Sequence, residues 1–239
     1  GKTSLKELIG RTLNKFCRVT YSPKSFNNKF GVPLSLFNLN QKDDFGVFEV
    51  GMDKKNEIDT LTKIIKPDVG VITNISYAHA KNFKNLKQIA LAKSEIMNNI
   101  VSGGSIVLNA DDIFYKFHRK MALKKKLKVY SFSINKKNAT VSLISIKKEK
   151  SKFKVIINID NQKKYFFISS NFENNLKNLL AAITVISIFK DIKTINKNIF
   201  YNYQIPYGRG DFSKIKINRK NILLIDESYN SNPLSLKSS

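Results

Sequence analysis

A single cysteine, Cys17, is all that this 239-residue chain carries, so no disulfide can close within it. That count fits a reducing compartment, and the cytoplasm is the expected location. No run of about 18 apolar residues occurs, which leaves no candidate for a membrane-spanning helix. The chain does not open on a charged stretch followed by an apolar core, so no secretory signal is read. Internal repeats are absent, and nothing is long enough to be a disordered linker. Acids are scarce as well: 18 Asp and Glu face 42 Lys and Arg, a formal charge of +24. Such an excess suits a nucleic-acid binder. Against that, the basic residues are nearly all Lys, scattered among Asn and Ile. The densest cluster, Lys124 to Lys128, precedes the apolar run "VYSF" and reads as a solvated helix end. Nucleic acid is therefore the less favoured partner, and the same field suits an enzyme acting on anions such as ATP.

What is present is enough for a real core. At 42% hydrophobic residues, the chain has the material for one large or two small domains. Leu5, Leu8, Ile9, Leu13 and Phe16 fall at helical spacing, so "SLKELIGRTLNKF" predicts an amphipathic helix. A loop, "SPKSFNNKFGVP", follows. Short apolar runs then alternate with helical stretches: "FGVFEVG", "DVGVITNIS", "SIVLNADD" and, near the end, "ILLIDESYN". Runs of this length, rich in Val and Ile, suit buried parallel strands. From about Ala139 to Ser170 the pattern changes to β-favouring runs separated by polar turns, which predicts an antiparallel meander. "NLKNLLAAITVISIF" then reads as a buried helix, apolar nearly all round. The expected fold is α/β: a mostly parallel sheet flanked by helices, with an antiparallel segment at about 139–170.

Chemistry-bearing residues gather at the ends of the predicted strands. Glu49 ends one; Thr73 and Asn74 end another, with His79 a few residues on; Asp226 ends a fourth. In open parallel sheets, ligands bind beyond the carboxyl ends of the strands, where helix N-termini present N–H groups to anions. The opening "GKTS" belongs at that edge. Gly1, Lys2 and Thr3, with Ser4, match the end of a phosphate-binding loop, in which backbone N–H groups cradle phosphates, a Lys neutralises them and a hydroxyl meets Mg²⁺. An ordinary helix start would account for the same letters. Lys93 lies on the apolar face marked by Leu86, Ile89, Ala90 and Met97. A lysine there either snorkels to water or, near metal and phosphate, reacts with CO₂ to become a carbamate ligand. His79 is a metal ligand or a plain loop residue, and His118 reads as surface. "NADD" (Asn109 to Asp112) reads as a turn. Asn175 and Asn178 open the buried helix; one suffices as a cap, leaving the second able to read an adenine edge. "GRG" puts Arg209 in a flexible turn fit for a phosphate contact.

Taken together, "GKTSLKE", "SFNNKFGVPLSL", "FEVGMDKKNEID", "PDVGVITNISYAH", "ALAKSEIM", "LNADD", "NLKNLLAA", "GRG" and "IDESYNSNP" make the chain resemble the Mur ligases, ATP-dependent amide-forming enzymes of peptidoglycan assembly. Within that family, "FNN-x-x-GVPL" and "YNSNP" resemble the branch that adds D-Ala-D-Ala to UDP-N-acetylmuramoyl-tripeptide. The resemblance implies that Lys2 holds the ATP phosphates and that Thr3 and Glu49 share one Mg²⁺. It implies that His79 and a carbamylated Lys93 serve a second Mg²⁺, and that Asn175 and Asn178 lie by the adenine. Arg209, Asp226 and Tyr229 would contact the nucleotide, and Asn27, Asn28 and Asn230 would face the muramoyl-peptide substrate. Where the family often has a His before the first Asn of the helix start, this chain has Asn174. The resemblance also implies that residues 1–239 are the central ATP-binding domain of a longer, monomeric protein, cut inside the phosphate loop and lacking an N-terminal UDP-binding domain and a C-terminal domain. The rival expectations are a Mur-type ligase with another amine acceptor, a basic nucleic-acid-binding module, and a folded scaffold without catalysis.

Overall fold

The computed structural model describes residues 1–76, 82–169, 175–206, 208, 211–218 and 220–226. Helix α1 (Lys2–Leu13) forms where the helical spacing placed it, with Leu5, Leu8, Ile9 and Leu13 all buried. It stops three residues before Phe16, which is left partly exposed. Gly10 allows the helix to lie against the next strand: a Cβ there would stand 2.6 Å from the Tyr21 ring. That strand, β1 (Val19–Tyr21), pairs in parallel with β2 (Phe45–Val47). Helix α2 (Gly31–Phe37) begins inside the stretch expected to be loop. Pro33 falls in its first turn, where a missing N–H costs nothing.

After α3 (Glu57–Ile65) comes a six-stranded sheet in sequential order: β3 (Val69–Ile72), β4 (Ser105–Asn109), β5 (Lys128–Ser133), β6 (Val141–Glu149), β7 (Lys152–Ile159) and β8 (Gln162–Ser169). Pairing is parallel from β3 to β6 and antiparallel from β6 to β8, so the expected meander is an extension of the parallel sheet. Helices α4 (Leu86–Ser94), α5 (Tyr115–Lys124) and α6 (Leu176–Phe189) complete the layers. β4 is buried along its whole length, as a strand covered on both faces must be. Helix α6 is the most apolar element, and its Leu179, Leu180 and Ile183 join Leu5, Leu8 and Ile9 of α1 in the main core. Smaller clusters, around Ile72, Ile106 and Leu108 and around Met52, Ile58 and Ile89, fill the opposite side.

Two expectations are corrected. "ILLID" is a strand, β10 (Lys220–Asp226), but its partner is β9 (Asp211–Ile217) in an antiparallel hairpin, apart from the parallel sheet. A two-residue connection beginning with Asn218 at φ 48° suits such a hairpin. Ile222 and Leu224 stay exposed, which a buried central strand would not permit. His118 is not on the surface: it is only 2% exposed. Its basic neighbours Lys116, Arg119 and Lys120 are exposed, while Tyr115, His118 and Ala122 share the stripe turned towards the protein. Charge along the sequence hid a helical period.

Candidate active site

At the N-terminus of α1 no side chain caps the helix and no acid occupies the first turn. Thr3, in that turn, is buried and donates its hydroxyl to Glu49 Oε2 at 2.6 Å. Glu49 lies just beyond the end of β2 and is itself buried. Its other oxygen accepts from Asn27 Nδ2 at 2.8 Å, and its backbone N–H donates to Ser22 Oγ at 3.1 Å. Ser25 Oγ comes within 3.2 Å of Thr3 Oγ1. A buried carboxylate is costly unless hydrogen-bonded, and here both oxygens are satisfied. Asn27 is tied down in turn, its carbonyl accepting from Gly51 N at 2.7 Å.

The loop that carries these partners is pinned by Lys6, which the sequence did not single out. Only 3% exposed, its ammonium donates to the carbonyls of Ser22 and Lys24 and to Glu7 Oε1 at 2.6 Å. Its spacing was the available signal: four residues after Lys2, on the buried side of α1. Asn28 accepts from the N–H groups of Phe30 and Gly31, at 3.1 and 2.9 Å, and so fixes the turn that leads into α2.

Across the cleft stands Lys93, half-buried in the last turn of α4. Its Nζ donates to Asn74 O at 2.7 Å, in the segment after β3. Burial, and then the nearby Lys2 charge, lower its pKa from 10.5 to about 8, with Asp112 acting the other way. "NADD" is a turn, as expected, and also a latch. Asp112 accepts from Ile75 N at 2.7 Å and Phe114 N at 2.8 Å, while Asp111 accepts from Ser133 Oγ and, at 2.7 Å, Ile134 N. The carboxyl ends of β3, β4 and β5 are thereby held together. Beneath α4, His118 Nε2 meets Ala90 O at 3.0 Å; burial pushes the imidazole below its ordinary pKa of 6.5.

Lys2, Glu49, Thr73 and Lys93 are among the residues lining a mostly apolar cleft of about 470 Å³. The structure thus brings together Gly1, Lys2, Thr3, Ser4, Asn27, Glu49 and Lys93 around the start of α1. Asn175 and Asn178 stand outside that lining, bonded to one another at 3.0 Å at the start of α6. Asp226 ends β10 in the hairpin. His79, Asn174, Arg209, Tyr229 and Asn230 lie outside the described residues. Thr3 and the cleft-lining Glu49 offer a hydroxyl and a carboxylate 2.6 Å apart, a hard-oxygen pair of the kind Mg²⁺ takes while keeping several waters. The donor set fits that ion. Among the described residues, no three His, Cys, Asp or Glu side chains cluster as a self-contained metal cage.

Known proteins resemble this chain along nearly its whole length. The family model described as Mur ligase middle domain matches residues 1–186. A UDP-N-acetylmuramoyl-tripeptide–D-alanyl-D-alanine ligase of Buchnera aphidicola subsp. Baizongia pistaciae is 34% identical over 240 residues, covering 99% of this chain and 50% of its own. One from Rickettsia prowazekii is 32% identical, covering 99% and 52%. Among solved structures, MurF from Acinetobacter baumannii superposes with a TM-score of 0.87 at 28% identity, over 100% of this chain and 51% of that one. The MurF ligase of Thermotoga maritima, solved in complex with ADP, shares the fold with a TM-score of 0.82 at 21% identity, over 100% of this chain and 53% of that one. The chain spans about half the length of the curated relatives it matches. With the family model matching residues 1–186, most of its length, the chain belongs to the Mur ligase family, of whose middle domain it carries the match.

Proposed function

We propose that this chain is the central, ATP-binding part of a ligase that joins D-Ala-D-Ala to UDP-N-acetylmuramoyl-tripeptide in peptidoglycan precursor synthesis. The remainder of a longer, monomeric cytoplasmic protein would supply the domains that grip the UDP moiety and deliver the amine. The observation that carries the reading is that Lys2, Lys93 and Glu49, the last hydrogen-bonded to Thr3, share the lining of one cleft beside the start of α1. Family membership and the relatives' names support the choice of reaction.

A carboxylate resists attack by an amine until one oxygen becomes part of a leaving group. The substrate carboxylate would attack the γ-phosphorus of ATP, forming an acyl phosphate as the bond to ADP breaks. The D-Ala-D-Ala amine would then attack the carbonyl carbon, expelling phosphate and losing its proton to water. Lys2 places its positive charge where the phosphates of a nucleotide would lie along α1. Thr3 and Glu49 would hold Mg²⁺, which offsets phosphate charge in such transfers. Lys93, with its lowered pKa, has a substantial neutral fraction near pH 8 and is able to add CO₂; as a carbamate it would turn from a cation repelled by Lys2 into an anion attracted by it. Asn27 joins the loop after β1 to Glu49, so a muramoyl-peptide resting on that loop would sense the metal-binding carboxylate directly. His79 and the residues Arg209, Tyr229 and Asn230 are proposed partners of metal, nucleotide and substrate. Asn175, Asn178 and Asp226 are proposed contacts of the nucleotide.

The test uses the natural full-length protein, with UDP-N-acetylmuramoyl-tripeptide, Mg-ATP, and D-Ala-D-Ala, free D-Ala or a diamino acid as acceptor. ADP release that depends on D-Ala-D-Ala is the expected result. Release with a different acceptor alone would refute this branch of the family, and no release with any would refute the ligase reading.

A further inference from the structure

Beyond β5 the sheet carries a face that the catalytic reading does not use. Side chains alternate across β6 to β8, and Val141, Val155, Ile157, Phe166 and Ile168 turn to the main core. The register puts Lys147, Lys152, Lys154, Lys163, Tyr165 and Phe167 on the other face. Three features mark that face. Lys147 and Lys154 are direct cross-strand partners, and like charges so placed repel. Ammonium groups are held over its two rings: Lys152 Nζ lies 3.5 Å from the Phe167 centroid and Lys154 Nζ 4.3 Å from that of Tyr165. From outside the strands Lys197 adds a third, 6.0 Å from Phe167. Acids are nearly missing. Among the described residues of these strands the register places one there, Glu149, which stands 3.8 Å from Lys154. Between Asp112 and Asp191 the sequence holds only Glu149, Asp160 and Glu173 as acids. Lysines that look scattered along the sequence are thus collected by strand pairing, in an arrangement that costs the fold some repulsion.

We propose that this face binds the phosphate backbone of single-stranded nucleic acid, without reading its bases, as an activity separate from the ATP cleft. Charge complementarity sets the sign of the partner. Same-face residues lie about 6.6 Å apart along a strand and about 4.8 Å apart across the ladder, so anions repeated along a chain match the lysines better than a lone anion does. Both rings are engaged by ammonium groups, and Phe167 is only 7% exposed, which leaves bases no open stacking platform. Affinity then comes from phosphate contacts, which carry no sequence information. Shape selects among polyanions. In β4, Ile106 and Leu108 share a cluster with Ala122 of α5, while Val107 faces the main core. Helix α5 is therefore on the same side of the sheet as Lys154. It packs on β4 and β5 and, at about 10 Å thick, forms a step beside β6 to β8. A linear polymer can lie along the foot of that step, whereas a flat bilayer would meet α5 first. The floor spans three strands, about 10 Å, room for one nucleic-acid strand rather than a duplex. The inference rests on sheet register and stands whether or not the cleft is that of a ligase.

Fluorescence anisotropy of a labelled oligo(dT) of about 20 nucleotides tests it, with the natural full-length protein and with Mg-ATP present to compete for the cleft. Neutralising about four phosphates gives a slope of about −2.8 in log K against log salt, so affinity should fall about fiftyfold between ~50 and ~200 mM salt. Lys147→Gln combined with Lys154→Gln removes two of those contacts. The slope should halve, to about −1.4, and affinity at ~50 mM salt should drop at least ~tenfold. Lys54→Gln combined with Lys55→Gln, an equal loss of charge at exposed positions ahead of α3, should change affinity less than ~twofold. The second measurement needs no variant: trace acetylation of the wild type, read by peptide mapping. Oligo(dT) should protect Lys147, Lys152, Lys154 and Lys163 at least ~threefold and leave Lys54 unprotected. No saturable binding at ~50 mM salt, equal losses in the two double variants, or protection spread evenly over all lysines would overturn the proposal. So would a preference for polyglutamate of matched charge, which would assign the face to an acidic protein. Preference for phosphatidylcholine vesicles containing about one-third phosphatidylglycerol would assign it to a membrane surface, and would overturn it too.

Discussion

Lys93 should be the most reactive lysine amine at neutral pH. With its pKa at about 8 instead of 10.5, about a quarter of Lys93 is neutral near pH 7.5, against about a thousandth of an ordinary lysine. Only the neutral amine attacks an electrophile, so the structure predicts a reactivity advantage of roughly two hundredfold per unit of intrinsic nucleophilicity. Competitive labelling with trace acetic anhydride in CO₂-free buffer, read by peptide mapping from pH 6 to 11, measures it residue by residue. The Lys93 profile should have its midpoint near 8. Lys2→Met should move the Lys93 midpoint upward, because a neighbouring positive charge has been removed. Adding ¹³C-bicarbonate should then produce a carbamate resonance that is lost in Lys93→Met. A Lys93 midpoint near the ordinary 10.5 would refute the reasoning about burial. The same shift bears on stability. Below pH 8 the folded state holds a proton on a site that disfavours it; between 8 and 10.5 the unfolded chain binds that proton and the folded one does not, so stability from this group rises with pH. The stability gained by Lys93→Met should accordingly shrink across that window.

Lys6→Met should cost about 2–4 kcal/mol in urea denaturation of the natural protein, since the carbonyls of Ser22 and Lys24 lose their donor; a loss below ~0.5 kcal/mol would show that the loop re-pairs unaided. Glu49→Gln should keep the fold but weaken Mg-nucleotide binding at least ~tenfold by calorimetry, and unchanged affinity would remove Glu49 from the metal site. His118→Gln should flatten the acid side of the stability curve. Its pKa is pushed below 6.5 by burial, so as pH falls the unfolded chain takes up the proton first and the wild type loses stability. Equal slopes for the two proteins below pH 6.5 would mean that His118 titrates normally.

Much of this architecture could be read from periodicity. The α1 stripe of Leu5, Leu8, Ile9 and Leu13, the all-apolar α6 and the short runs that became β3 and β4 are local patterns, and local patterns survive folding when burial on one face or both selects them. "ILLID" shows the limit. Four apolar residues in a row fit a buried parallel strand or a hairpin arm equally well, and only the pairing with residues 211–217 distinguished them.

The sequence by itself determined which residue types gather at the carboxyl edge of the strands: a Gly-Lys-Thr helix start, and Glu49 and Thr73 at strand ends, because chain direction in a parallel sheet sends every strand's carboxyl end to one side. What only the tertiary structure decided is how those residues are coupled. Thr3 and Glu49 are 46 positions apart in sequence and 2.6 Å apart in space. Lys6 reaches carbonyls 16 and 18 residues away, and His118 supports the α4 backbone 28 residues upstream. Hydrogen bonds of such range depend on the packing of whole elements, which leaves no period in the sequence. The lowered pKa of Lys93 has the same origin: burial and the Lys2 charge act on it only once α1 and α4 face each other across the cleft.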